Sequence, residues 1–168
     1  MRDIEESHDG HTYLFITVLP NGHMEIVAFF ELCLTGIDFS QLTKSMQKKF
    51  KGGHTHWRKG KYAGSYCIGE LGRNDSFTKD DMPGERILQE AINVIVTARD
   101  SIGGRYALID ARREIFDHLY KKQGFRCVGN VSVPDEAEAE VVVGIAKTTK
   151  WEIEELSRDG GSSTADNA

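Results

Sequence analysis

At 168 residues, 39% hydrophobic and 28% charged, the chain is long and apolar enough for one soluble domain with its own core. A formal net charge of −5 argues against wholesale nucleic-acid binding, though not against a local basic patch. The acidic start MRDIEESHDGH is unlike a secretory signal, no apolar run approaches bilayer length, and Cys33, Cys67 and Cys127 form no C-x-x-C pair; a cytoplasmic protein with no membrane contact, disulfide framework or zinc knuckle is expected.

The run TYLFITVLPNGHMEIVAFFELCL predicts a β-hairpin, with β-branched and aromatic residues on both sides of Pro20-Asn21-Gly22. DFSQLTKSMQKKF predicts a short helix capped by Asp38 or Ser40. KGGHTHWRKGKYAG is Gly-rich and basic, a loop. SYCIGELGR predicts a strand, and Gly69 and Gly72 inside it mark a bulge or a close backbone approach. NDSFTKDDMPG is a loop leading into the longest helix, about Pro83 to Ile102. Asp80 or Asp81 would cap it, Pro83 suits its first turn and Gly103-Gly104 ends it. Ile87, Leu88, Ala91, Ile92, Val94, Ile95, Ala98 and Ile102 trace its apolar face.

RYALIDA predicts a buried strand and REIFDHLYKKQ a short helix, with Ile115, Leu119 and Phe116 inward. Gly124 closes that helix and Phe125 enters the core. FRCVGNVSV and EAEVVVGIAKTT are two more strands. The order β-β-α-β-α-β-α-β-β implies an α/β (α+β) fold, a mixed, mostly antiparallel sheet flanked by helices. Residues 1–156 form one domain and 157–168 a disordered polar tail.

The start of the long helix carries chemistry. Its first N–H groups and positive dipole end suit a phosphate, Gly84 lets a ligand approach, and Lys79 and Arg86 add charge; the bland alternative is an ordinary capped helix. His54-x-His56 has no third ligand in view and reads as a solvated loop rather than a metal site. The segment KSMQKKFKGGHTHWRKGK holds Lys44, Lys48, Lys49, Lys51, Arg58, Lys59 and Lys61 and no acid, with Phe50 and Trp57 interleaved. It would suit an RNA backbone, or form a solubilising surface.

IGELGRND, KDDMPGERIL and LIDARREIFDHLYKKQGF together resemble the GNAT superfamily of acyl-CoA-dependent N-acetyltransferases. In that family a central strand of the form I-G-R-L-A-V-D, a Q/R-x-x-G-x-G/A loop and a closing F-Y-x-x-x-G-F occur in this order. The resemblance covers about Tyr13 to Thr148. Met82 stands in place of the loop's first glycine, Lys79 at its Gln/Arg position, and Arg112-Arg113 where an asparagine is frequent. The family's usual first strand and two following helices have no counterpart, which would leave a sheet edge or face for a second subunit to cover in a homodimer.

The resemblance implies acetyl-CoA as co-substrate and no metal. Leu71, Gly72 and Arg73 would offer main-chain groups to pantetheine and to the thioester oxygen, and Lys79, Gly84, Glu85 and Arg86 would surround the pyrophosphate. Tyr120 would be the general acid that protonates the leaving thiolate; as a purely structural residue it would pack on the sheet. Glu70 is the first candidate base for the acceptor amine and Asp110 the second. The expected function is acetyl transfer to a primary amine on a small molecule or protein. The alternatives are a toxin-like member acetylating aminoacyl-tRNA, and a non-catalytic CoA-binding regulator.

Overall fold

The structure, a computed structural model, describes residues 10–51, 62–131 and 141–153. The predicted tail and the segment holding His54, His56, Trp57, Arg58, Lys59 and Lys61 lie outside the described residues. Six strands form one sheet in the order β1-β2-β3-β4-β6-β5: β1 Gly10–Val18, β2 Met24–Asp38, β3 Tyr62–Arg73, β4 Tyr106–Arg112, β5 Arg126–Val131 and β6 Val141–Lys147. Every neighbouring pair is antiparallel except β3 with β4. Among the described residues no helix is long and apolar enough to cross a membrane.

The expected hairpin turn lies between β1 and β2, with Gly22 at φ +80° and its N–H on the Leu19 carbonyl at 2.8 Å. Asp38 caps only a 3₁₀ turn, Phe39–Gln41, by accepting the Ser40 N–H at 2.8 Å. The helix proper, α1, spans Lys44–Lys51 and begins after Thr43, whose hydroxyl accepts the Met46 N–H at 3.4 Å.

The long helix α2 spans Gly84–Ile102 and crosses the sheet between β3 and β4, the connection that two parallel neighbours require. Ile87, Leu88, Ala91, Ile92, Ile95 and Val96 pack it on Ala28, Phe30, Leu32, Ile68, Ala107 and Ile109. One expectation fails here. Ile102 is 72% exposed, because the helix overruns the sheet at that end, and Gln89 is buried instead.

After β4 the chain turns through Arg113–Ile115 (α-helical), Phe116–Tyr120 (π-helical) and Lys121–Gln123 (3₁₀), here called α3 as a whole. Phe116 and Tyr120 are buried, whereas Ile115, expected inward, is 48% exposed. The helix starts so close to the strand end that Phe116 is the first residue able to reach the core, where it meets Gly144 of β6.

The opposite face of the sheet carries a smaller core of Ile37, Phe39, Phe50, Tyr106 and Ile145, in which the Tyr106 hydroxyl donates to the Phe50 carbonyl at 2.7 Å. Towards the β1 edge this face is bare: Leu14, Ile16, Val18, Met24 and Ile26 are all exposed.

Candidate active site in a split sheet

β3 and β4 pair at three positions, Tyr66↔Ala107, Cys67↔Leu108 and Ile68↔Ile109. Beyond them β3 follows β2 as far as Arg73↔Ala28, while β4 follows β6 as far as Arg112↔Val141. Gly69–Arg73 and Asp110–Arg112 therefore run on without pairing to each other, and the sheet opens into a cleft. Backbone groups of β3 on that side have no strand partner, so they are available to a ligand that lies along them.

The opening starts at a bulge. Ile68 faces Leu32 and Leu71 faces Phe30, so Gly69 and Glu70 together stand opposite the single residue Glu31. The sequence expectation of a bulge is met at Gly69 and not at Gly72. Gly72 has a different reason to lack a side chain: a Cβ there would lie 2.7 Å from the Phe29 ring.

Glu70, in the bulge, is exposed. Glu31, which sequence reasoning missed, is 5% exposed; its carboxylate accepts the Thr12 hydroxyl at 3.5 Å, and one oxygen lies 3.6 Å from where a Cβ on Gly69 would stand. The signal was a lone acid inside the apolar run AFFELCL, where a buried charge needs a reason. Strand alternation puts Glu31 and Cys33 on the face away from Phe30 and Leu32. Cys67 faces Cys33 directly, and its thiol is pushed up to about 12 by burial, then by Cys33 and by the negative charge of Asp110. Asp110 is exposed at the lip of the cleft, yet partial desolvation raises its carboxyl from the ordinary value.

The loop from β3 to α2 is tied down at every turn. Asn74 donates to the Ile26 carbonyl at 2.9 Å, and Arg73 donates to the carbonyls of Phe77 at 3.1 Å and Met82 at 3.0 Å. Asp81, expected to cap the long helix, instead accepts from the Thr78 N–H and hydroxyl at 2.7 Å each, and these bonds hold its carboxyl below the usual range. Met82, at the family's glycine position, buries its side chain in the core.

Pro83 occupies the cap position of α2 with no side-chain hydrogen bond. The first bonds of that helix run from Arg86 and Ile87 to the Pro83 carbonyl, at 3.0 and 3.3 Å, which leaves the N–H groups of Gly84 and Glu85 ahead of the helical ladder. Lys79, Glu85 and Arg86 are exposed around them, and Lys122 of α3 pairs with Glu85 at 3.5 Å. Side chains that leave this helix start open, on a loop this well anchored, leave room for a phosphate group at its N–H groups.

Tyr120 is buried at 7% exposure, and burial pushes its phenol up to about 12. Its ring stands edge-on to Phe125, with centroids 5.6 Å apart, and Phe125 leans on Trp151 at the same distance. Two hydrogen bonds end α3: Gly124 N–H to Lys121 O at 3.1 Å and Phe125 N–H to Tyr120 O at 3.3 Å, with Gly124 at φ +85°. This is a Schellman closure, with the Tyr120–Phe125 contact as its apolar clasp. Among the described residues the Tyr120 hydroxyl has no hydrogen bond, and no fully buried side-chain oxygen is left without a partner, so its tip is not sealed into the core.

No family model matches the sequence, and no curated protein is similar enough to count as a relative. Solved structures are similar in fold. A tyrosine-to-phenylalanine variant of KacT is 15% identical with a TM-score of 0.63, over 89% of this chain and 77% of that one. AtaT complexed with acetyl-methionyl-tRNA is 19% identical at 0.59, over 88% and 76%. AtaTR bound with AcCoA is 19% identical at 0.57, over 88% and 76%. At these identities the likeness is one of fold, and the chain has the GNAT fold that its motifs resemble.

Proposed function

We propose that the chain transfers an acetyl group from acetyl-CoA to a primary amine by direct attack. The observation that carries this reading is the parting of β3 from β4 beside an uncapped helix start. Pantetheine would lie along the main chain of Leu71, Gly72 and Arg73. The pyrophosphate would rest on the N–H groups of Gly84 and Glu85, with positive charge from Lys79 and Arg86.

A main-chain N–H at the bulge donates to the thioester oxygen as negative charge grows there. The amine nitrogen bonds to the carbonyl carbon and gives its proton to Glu70. The buried Glu31 side chain, across the bulge, accepts a hydrogen bond from the attacking nitrogen. The carbon–sulfur bond breaks, and Tyr120 donates its proton to the departing sulfur. A phenol raised by burial is fully protonated at neutral pH, as a donor must be. The same apolar surroundings raise the proton affinity of the thiolate, which offsets the weaker acidity of the buried phenol.

The acceptor class we favour is aminoacyl-tRNA. AtaT, a protein of the same fold, has been crystallised with acetyl-methionyl-tRNA, and that supports a charged tRNA as acceptor here. The test is coenzyme A release from acetyl-CoA, followed against charged tRNAs, small amines and peptide N-termini. Release that depends on one acceptor class identifies it. Acetyl-CoA bound but never consumed would leave the non-catalytic regulator as the better reading. No binding at millimolar acetyl-CoA would reject both.

A further inference from the structure

A second cleft, of about 810 Å³, runs between α3, the edge strand β5 and the end of β6. α3 contributes Arg113, Lys121 and Lys122 to its lining. Arg126, Lys147 and Lys150 line it from the strand side, and Lys49 from α1. Asp117 is the sole acid among the described residues of the lining, where it pairs with Lys121 at 3.2 Å, and Lys122 pairs with Glu85 from outside the cleft at 3.5 Å. The chain as a whole is acidic at −5, so this concentration of cations is a property of the place and not of the composition.

The floor decides what kind of anion fits. Phe50, Phe116, Phe125 and Trp151 line the cleft but are buried, and the Trp151 indole N–H is committed to the Gln123 carbonyl at 2.9 Å. Among the described residues no aromatic face is presented for a base to stack on. An apolar floor under cationic walls concentrates the field, and the groups on offer match phosphates rather than base edges. The α3 wall is about 16 Å long at ~1.5 Å per residue, enough to follow several phosphates of one strand. At one end Arg113 directly follows Arg112, the last residue of the parted strand β4.

We propose that this cleft is a docking track for an RNA backbone, read through its phosphates and not its bases. The inference rests on the acyl-transfer reading with a charged tRNA as acceptor, and adds where the body of that acceptor lies. The sequence pointed elsewhere, to the basic run through α1. Of that run only Lys49 and Phe50 line the track among the described residues.

The test is fluorescence anisotropy of the full chain with a labelled RNA hairpin and with deacylated tRNA, as potassium chloride is raised. The hairpin should bind at low salt, and the slope of log affinity against log salt should fall by about two when Lys147→Gln and Lys150→Gln are combined, near ~0.9 per lost phosphate contact. Arg126→Gln should weaken binding several-fold at fixed salt. Lys44→Gln with Lys48→Gln, exposed on α1 outside the track, should leave it unchanged. Absence of RNA binding at low salt overturns the proposal. So does binding lost with the α1 pair and kept in the track variants. A polyglutamate peptide that binds the track as tightly as RNA assigns it to an acidic protein partner instead. Acetyl-CoA binding and transfer, measured on the same variants, keep the two readings apart. RNA bound in the track without transfer to any acceptor defeats the enzymatic reading alone. Transfer to charged tRNA at parental rates by the track variants defeats the docking alone.

Discussion

The N–H of Phe125 donates to the carbonyl of Tyr120 at 3.3 Å while the two rings meet edge to face. One residue thus terminates the helix by its backbone and fixes the tyrosine by its side chain. The Tyr120 ring has two constraints and its hydroxyl has none. Tyr120→Phe should therefore cost less than ~1.5 kcal/mol of stability, since no hydrogen bond to the described residues is lost. Turnover should fall by about ten- to a thousandfold, the low-to-middle range for a missing general acid. Acetyl-CoA affinity, measured by calorimetry, should stay within about twofold. Parental turnover in the variant would make Tyr120 a packing residue.

Gly124 sits at φ +85°, where a Cβ is strained even though open space surrounds it. Gly124→Ala should destabilise the fold by about 1–2 kcal/mol through backbone strain alone. Gly124→Asn should cost less, because asparagine tolerates this conformation. Thermal melts of the two variants check the order.

Gly84 differs, because a Cβ there meets only a Leu119 methyl at 3.8 Å, an ordinary contact. Gly84→Asp should melt close to the parent, yet it sets a carboxylate beside the N–H groups assigned to the pyrophosphate. Acetyl-CoA affinity should drop at least tenfold at low salt, and Gly84→Ala should drop it less. Unchanged affinity in the aspartate variant would move the phosphate site elsewhere.

Asp110 gives a pH signature. Its carboxyl is raised by desolvation, so between the unfolded value and the raised one the folded state holds more protons. Stability falls as pH rises through that window, and the penalty is full above it. Asp110→Asn should therefore raise the melting temperature at pH 7, with the gain shrinking towards pH 3. A gain equal at both ends would assign the effect to something other than charge.

The two carboxylates at the bulge should separate by pH profile. Glu70→Gln should remove the acidic limb of the rate, as loss of a base does. Glu31→Gln should lower the rate across the whole range while leaving that limb in place. A Glu31→Gln profile that loses the limb would exchange their roles.

Much of the fold was legible because its signals are local. Pro20–Gly22 between two β-branched runs, the 3.6-residue stripe from Ile87 to Ile95, and Gly124 before Phe125 each specify one element within a few residues. The misses have physical causes too. Asp81 reads as a helix cap by position, but the Thr78 hydroxyl and N–H lie one turn earlier and claim it. Ile115 looks inward by period, and the short start of α3 and its π-helical turn change the period. Glu31 becomes meaningful only once Gly69 and Glu70 are known to share its place across the ladder. The basic track joins Lys49 of α1 to cations spread from Arg113 to Lys150, and no short window of sequence contains it.

The three-pair seam between β3 and β4 has a mechanical consequence. The ladders beside it hold ten pairs between β2 and β3 and seven between β4 and β6, so the seam is the weakest line across the middle of the sheet. The cleft lies on that line, along which the molecule opens most readily. Amide exchange at Cys67–Arg73 and Leu108–Arg112 reads that opening, and a thioester laid between the lips acts as a splint across it.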